Sequence, residues 1–470
     1  MEKQAMTGCH DVAARYLVVV GMFFLSLPPF AGQVRGADNW PQFRGAGAAG
    51  IGSGKPPIEW DVESGRNIAW KTRVPGLGHS SPIVWGDRVF LTTAVHEKLD
   101  APALSTGWLG GSGDPIEEEG DWTWQVRCLR LTDGDLLWQR DVKSGAPTIK
   151  RHAKASHANC SVATDGKRVV AFFGSEGLYC FDVDGQLEWK KDLGRLHSGP
   201  YDAPKLEWGF ASSPVIHDSK VILQCDCLNA RFVVVLDLMT GRELRRIVRD
   251  DVATWSTPLV VTHQGRTQVV CNGYRQMAGY DLESGEQLWT LRDGGDVPVP
   301  SPLFANGLIY LTNSHGRAPT FAIEPTARGD LTPSDDDEAE RPAGLAWWQP
   351  RDGSYIPTPL VYDDRLYTCN DNGRLVVRNA LSGELIYRKR ISASGATYSA
   401  SAVAANGFLY FTAETGVVTV VKTGDQYELA AKNEMGEITM STPSIAGDRL
   451  LIRTARDLYC IAEKPAGAKP

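Results

Sequence analysis

The sequence lacks any excess of basic charge: 49 Lys and Arg stand against 56 Asp and Glu, a net charge of −7. Electrostatic binding to nucleic acid needs clustered cations that displace counterions from phosphates, so that class of partner is excluded. Also missing is an apolar run of the ~20 residues that cross a bilayer as a helix. The longest, Tyr16–Leu27, has the shorter length of a secretory h-region. Among nine His and nine Cys there is no HxH, HExxH or CxxC pairing, so spacing alone names no metal site. The Gly-rich stretch Asn39–Gly50 is not followed by the Gly-Lys-Ser/Thr that a phosphate loop requires.

What the chain has in quantity is Gly (48), Pro (27) and Trp (14), the composition of many short strands, many turns and a regularly placed large anchor. Its 470 residues exceed a typical domain of about 100–150, so it either divides or repeats a unit. It repeats. Copies of a unit of about forty residues open at Ser80-Ser-Pro, Cys160-Ser-Val, Ser212-Ser-Pro, Ser256-Thr-Pro, Pro300-Ser-Pro, Pro357-Thr-Pro, Ala400-Ser-Ala and Ser441-Thr-Pro. The second half of the unit recurs as Leu131-Thr-Asp-Gly-Asp-Leu-Leu-Trp138, Phe181-Asp-Val-Asp-Gly-Gln-Leu-Glu-Trp189 and Tyr280-Asp-Leu-Glu-Ser-Gly-Glu-Gln-Leu-Trp289. Asp and Ser/Thr-Gly set a tight hairpin with a positive φ, and the aromatic that follows puts a large ring on one face of an outer strand, where it docks between neighbours.

On these motifs, from Gly65 to Glu463, the chain resembles the PQQ-repeat (quinoprotein alcohol dehydrogenase-like) β-propeller superfamily, which also includes the propeller lipoprotein of the outer-membrane barrel-assembly machinery. The resemblance implies an all-β, eight-bladed β-propeller of four-stranded antiparallel blades. The last copy ends at Glu463 without a fourth strand, and Arg66–Val74 carries the same turn-and-Trp spacing through Ser64-Gly65 and Trp70. We therefore expect the N-terminal strand to complete the last blade and hide the open edges of the ring. The expected organisation is a signal peptide over 1–37, ending at Ala31 or Ala37, a Gly-rich leader over 38–64 that packs Trp40 and Phe43 on the propeller, the propeller over 65–464, and a tail over 465–470. A signal peptide predicts a periplasmic or secreted monomer, the alternative being a retained N-terminal anchor.

Loops make the site of a propeller, and four insertions interrupt the repeat. Those at His96–Trp122, Lys143–Ala158 and Gly194–Gly209 share one face over blades one to three, whereas Pro325–Gly344, with its acidic run, belongs to the opposite face and reads as a solvated loop. Exposed aromatics favour Trp108, Trp122, Tyr201 and Trp208 as partner contacts. His152, His157 and His197 read as solvated loop histidines. Aligned inner strands place His79, Asn159, Ala211, Trp255, Val299, Ile356, Ser399 and Met440 around a mostly apolar mouth. His79, Asn159 and Trp255 complete the candidate set, while blades four and six to eight read as plain scaffold.

The resemblance offers two functional expectations. One is a non-catalytic envelope scaffold that binds a protein, peptide or glycan over blades one to three. The other is a dehydrogenase holding pyrroloquinoline quinone (PQQ) and Ca²⁺, for which the family pattern implies a vicinal cysteine pair, a stacking Trp and Glu/Asn/Asp ligands. Trp255 could stack and Asn159 could ligate, but the nearest cysteines, Cys225 and Cys227, are separated by Asp226. No cofactor is therefore predicted. The cysteines sit in apolar strand text and read as small buried hydrophobes.

Overall fold

A computed structural model describes residues 39–98, 103–109, 113–292, 294–334, 340–392 and 395–463. The Tyr16–Leu27 run, with the signal and anchor readings that rest on it, lies outside the described residues, as does most of the acidic run after Ser334. Eight sheets follow one another in chain order, antiparallel but for one added strand in blade four, each begun by one of the eight repeated segments, six of which read Ser/Thr-Pro. In blade six, for example, Leu360–Tyr362, Arg365–Cys369, Arg374–Asn379 and Leu385–Arg390 pair in sequence order. Middle strands are covered by neighbours on both faces, so Arg449–Arg453 is buried after its first residue. Outer strands face solvent on one side, so Ile68–Arg73 alternates and buries mainly Trp70. That strand pairs antiparallel with Asp457–Ile461, giving blade eight the order Ile68–Arg73, Asp457–Ile461, Arg449–Arg453, Ser444–Ala446.

Two kinds of joint hold blade to blade. On the outside, the indole N–H of Trp70 donates to the Leu131 carbonyl of blade one at 2.8 Å, Trp138 to Val183 of blade two at 2.9 Å, Trp189 to Leu238 of blade three at 2.9 Å, and Trp347 of blade five to Ala380 of blade six at 2.8 Å. Each ring lies flat on the turn glycine of the next blade. At Gly134, where φ is +78°, a Cβ would come within 2.6 Å of Trp70. The glycine therefore provides both the left-handed turn and the space for the indole.

The inside joint explains the Ser/Thr before each proline or its equivalent. The backbone N–H of Ser81 donates to Ser161 Oγ (2.9 Å), Ser161 to Ser213 (3.0 Å), Ser213 to Thr257 (3.0 Å) and Thr257 to Ser301 (3.2 Å). The series continues from Ser301 to Thr358 (3.0 Å), Thr358 to Ser401 (2.9 Å) and Ser401 to Thr442 (3.0 Å). Seven successive junctions are thus closed by one repeated bond around the axis. Between blades eight and one, Arg453 donates to Ser80 Oγ at 2.8 Å and to the Thr92 carbonyl at 2.7 Å.

Residues 39–60 cross the far ends of the inner strands. Trp40, 1% exposed, exchanges both backbone bonds with Val84 of blade one, while Gly52 N–H reaches Ala404 O of blade seven. Arg44 is fully buried between blades six and seven and donates to the carbonyls of Pro359 (2.8 Å), Ala402 (3.1 Å) and Ala48 (3.2 Å); burial pushes its guanidinium down to about 9.

Part of the fourth insertion, expected to be a solvated loop, is docked on the propeller. Gly329–Asp330 adds a parallel fifth strand to blade four through Trp289–Thr290, and Leu331 is fully buried behind it. Apolar Ala327 and Leu331 provide the buried surface that docks it. All eight cysteines from Cys128 to Cys460 are free and buried, and burial pushes their thiols up, Cys128 to about 12. Among the described residues no helix is long and apolar enough to cross a membrane.

Candidate functional site

The eight residues that open the inner strands, from His79 to Met440, line one cavity of about 540 Å³. Each blade contributes one, so the cavity lies on the propeller axis. Its floor is Phe43 of the leader and the ring of inner hydroxyls. Those hydroxyls each accept or flank a neighbour's N–H, and among the described residues none donates within the protein, so their O–H groups are open to a ligand or water.

The roof is the blade-one insertion together with the connection to blade two. Lys154 bridges them across the axis to blade seven, pairing with Glu414 Oε1 at 2.6 Å and donating to Gly107 O at 3.1 Å. Glu414, fully buried, also accepts from Gly107 N–H (2.9 Å), Thr397 Oγ1 (2.6 Å) and Ser399 Oγ (2.5 Å). A second anchor lies beneath: Arg151, fully buried, forks onto Glu118, which also meets His157 Nε2 at 3.2 Å. Burial raises the Glu118 carboxyl, but hydrogen bonds from His157 and Arg151 overcome it and hold it below the usual range.

The predicted candidates divide on this geometry. Trp108, 73% exposed, stands at the lip. Trp208 and Trp255 form a tilted pair in the wall, with centroids 5.6 Å apart. Their N–H groups are spent on Gly113 O (2.7 Å) and Gly209 O (2.8 Å), which leaves only ring faces for a ligand. His79 and His152 also line the wall, and neither is solvated as a loop histidine would be. Burial, reinforced by nearby Arg and Lys charge, drives His79 down to about 3 and His152 down to about 4, so both are neutral at pH 7. His152 Nδ1 accepts from Lys154 N–H at 3.1 Å, which places the ring proton on Nε2, beside Gly113.

Asn159 lines the cavity too, but its oxygen already accepts from Ser156 N–H (2.8 Å) and Ser156 Oγ (2.9 Å). Its role is to shape the wall.

Four candidates lie elsewhere. Trp122 is a core residue, wholly buried between His96 and His157, because the ladder of blade one extends to the His96–Trp122 pair and takes in both ends of the presumed loop. His157 is locked to Glu118 below the roof, and His197 secures its own connection through Leu206 O at 3.3 Å. Tyr201 stacks on Tyr274 (5.4 Å, 28°) in an open groove of about 810 Å³ that shares His315 with the axial cavity.

Sequence reading passed over Lys154, Asp371, Glu414 and Tyr355. Asp371 and Glu414 come from tight turns of blades six and seven, so these blades contribute to the site as well as to the scaffold. Burial pushes the Asp371 carboxyl up, against the pull of Lys154. The only sequence signal was an acidic residue in the second-to-third-strand hairpin, on the same face as the insertions.

The residues do not fit PQQ with calcium. Cys225 and Cys227 lie in the core between blades two and three, away from the cavity. Both oxygens of Glu414 and the oxygen of Asn159 are already engaged, so neither offers the free lone pairs a hard cation needs. Among the described residues no group of three His, Cys, Asp or Glu is placed to hold a metal ion.

Comparison with known proteins agrees with this architecture. The solved structure of BamB from Moraxella catarrhalis superposes with a TM-score of 0.50 at 15% identity, covering 81% of this chain and all of that one. The C-terminal WD40 domain of Sif2 superposes with a TM-score of 0.50 at 10% identity, covering 77% of this chain and 99% of that one. At such identities the likeness is one of fold. No curated protein matches in sequence. The family described as outer membrane protein assembly factor BamB matches residues 52–195 and 229–465, and the chain belongs to that family.

Proposed function

We propose that this protein is an exported, non-catalytic binding scaffold of the cell envelope that receives a protein, peptide or glycan at its axial cavity. The observation that carries the reading is the chemical state of that cavity. Lys154 and Glu414 neutralise each other, His79 and His152 are uncharged, and the thiols are buried in the blades. What remains is a pair of aromatic faces, the partly buried Asp371 carboxyl and a set of hydrogen-bonding groups in a preformed concavity, the composition of a recognition site. Its BamB family membership is consistent with an envelope role.

A photo-crosslinking side chain placed at position 108, on the lip, tests this in the native envelope. Position 248, 80% exposed on the outer edge of blade three, is the control. We expect a discrete adduct from 108 and none from 248. Adducts from 248 alone would move the binding surface to the rim and overturn the assignment.

A further inference from the structure

Three pairs of rings lie along one continuous path. Trp208 and Trp255 form the first, inside the cavity. His315 stacks on Tyr355 at 5.9 Å and 29°, and both line the cavity where His315 passes into the groove. Tyr201 and Tyr274 form the third, in the groove itself. A compact ligand would need only the first pair. A path this long fits a linear chain with its end in the cavity and its next units laid outward over the His315 saddle.

The chemistry along the path selects the kind of chain. The two indoles offer faces and no free N–H, which suits stacking against the C–H face of a saturated ring. Around them stand groups that are neutral donors or acceptors: the inner hydroxyls, the Tyr355 phenol and the uncharged His152. One partly buried carboxyl, Asp371, adds a strong acceptor able to take two neighbouring hydroxyls. A polyhydroxylated ring presents matching donors and acceptors on its rim and apolar C–H groups on its face. A peptide in the same place would bring backbone N–H and C=O groups in a ladder, and the cavity wall is built from strand ends and side chains that offer no such ladder.

We propose that the ligand is a glycan chain end, its terminal sugar held against Trp208 and Trp255 beside Asp371 and its following sugars crossing His315 onto Tyr201 and Tyr274. This rests on the axial cavity being the binding site. The saddle contact is itself ordered, because Asp296 accepts from His315 Nδ1 at 2.5 Å and fixes the imidazole over Tyr355.

The test is an array of oligosaccharides of one to six units, α- and β-linked, built from hexoses, N-acetylhexosamines and uronic acids, run beside a peptide library and followed by calorimetry on the full chain. The expected result is a glycan series whose affinity rises with length. Trp255→Ala should weaken every member by about fivefold to tenfold. Tyr274→Ala should leave the shortest member unchanged and abolish the gain with length. Because Trp255 also braces Gly209, Tyr355→Phe, which removes only a hydroxyl, serves as a second cavity variant, with a loss of about fivefold. Thermal melts of each variant verify folding. A binding series unmoved by Trp255→Ala and Tyr355→Phe would overturn the inference. Peptide binding without glycan binding, weakened by the cavity variants, would overturn it and leave the cavity as the binding site, whereas binding of neither would overturn it and leave the scaffold reading to the crosslink at position 108.

Discussion

Replacing Trp70 by Ala tests the joint between the first and last parts of the propeller. Trp70 is 8% exposed, belongs to the outer strand of blade eight, and lies on Gly134 of blade one with its N–H on the Leu131 carbonyl. Emptying the space of a buried aromatic costs about 3–5 kcal/mol. Stranding the Leu131 carbonyl adds about 1–3 kcal/mol. A loss of about 4–8 kcal/mol is large beside the total of about 5–15 kcal/mol typical of a folded domain. Trp138→Ala is the matched control, since that ring is also 8% exposed and donates to Val183 at 2.9 Å, but its strand is joined to the rest of its own blade by a hairpin. Both variants should lower the urea midpoint by similar amounts. Only Trp70→Ala should accelerate hydrogen exchange in Ile68–Arg73 and Asp457–Ile461 together, because only there does losing the joint free a whole strand. Wild-type exchange in those segments, or a wild-type midpoint, would refute the view that this strand seals the ring.

Two further outcomes follow from the site. Because His79 and His152 titrate near 3 and 4 when folded and near 6.5 when unfolded, the unfolded chain binds protons first on acidification. Their contribution is therefore complete above pH 6.5 and is lost as pH falls toward about 3. Thermal melts at pH 7 and pH 4 should show a smaller drop in the double variant His79→Gln/His152→Gln than in wild type, and an equal drop would contradict the assignment. Glu118→Gln leaves the fully buried Arg151 without its counter-charge, a loss of about 3–5 kcal/mol felt by the roof. Limited proteolysis should then cut within residues 97–121 sooner than in wild type, with the blades resistant; unchanged cleavage would show that the roof does not depend on this pair.

The sequence announces the blades because every blade solves the same problem with the same residues. Ser/Thr at the start of the inner strand closes seven junctions on the inside, and a turn glycine under a Trp closes four on the outside, so two recurring local patterns were enough to read the architecture. Aligning those patterns also found the ring from His79 to Met440, since equivalent positions in a closed ring must converge. The Lys154–Glu414 contact was illegible, because its partners are 260 positions apart and meet only across the axis. Trp122 was misjudged for a simpler reason. Loop-like spacing cannot show that a strand runs on, and in blade one the second and third strands pair as far as His96 and Trp122.

The inner joint has a consequence for how such rings are assembled. At seven junctions one blade offers a backbone donor forward and the next a hydroxyl acceptor backward, and the acceptor is Ser in some blades and Thr in others without altering the bond. At those seven junctions the bond therefore carries no address, whereas the eighth, where Arg453 of blade eight meets Ser80 and Thr92 of blade one, is marked by a residue of its own. Individuality is left to the segments that reach over the top, so a ring of interchangeable parts can acquire a specific pocket by lengthening one loop and placing a single acidic residue, such as Glu414, opposite it.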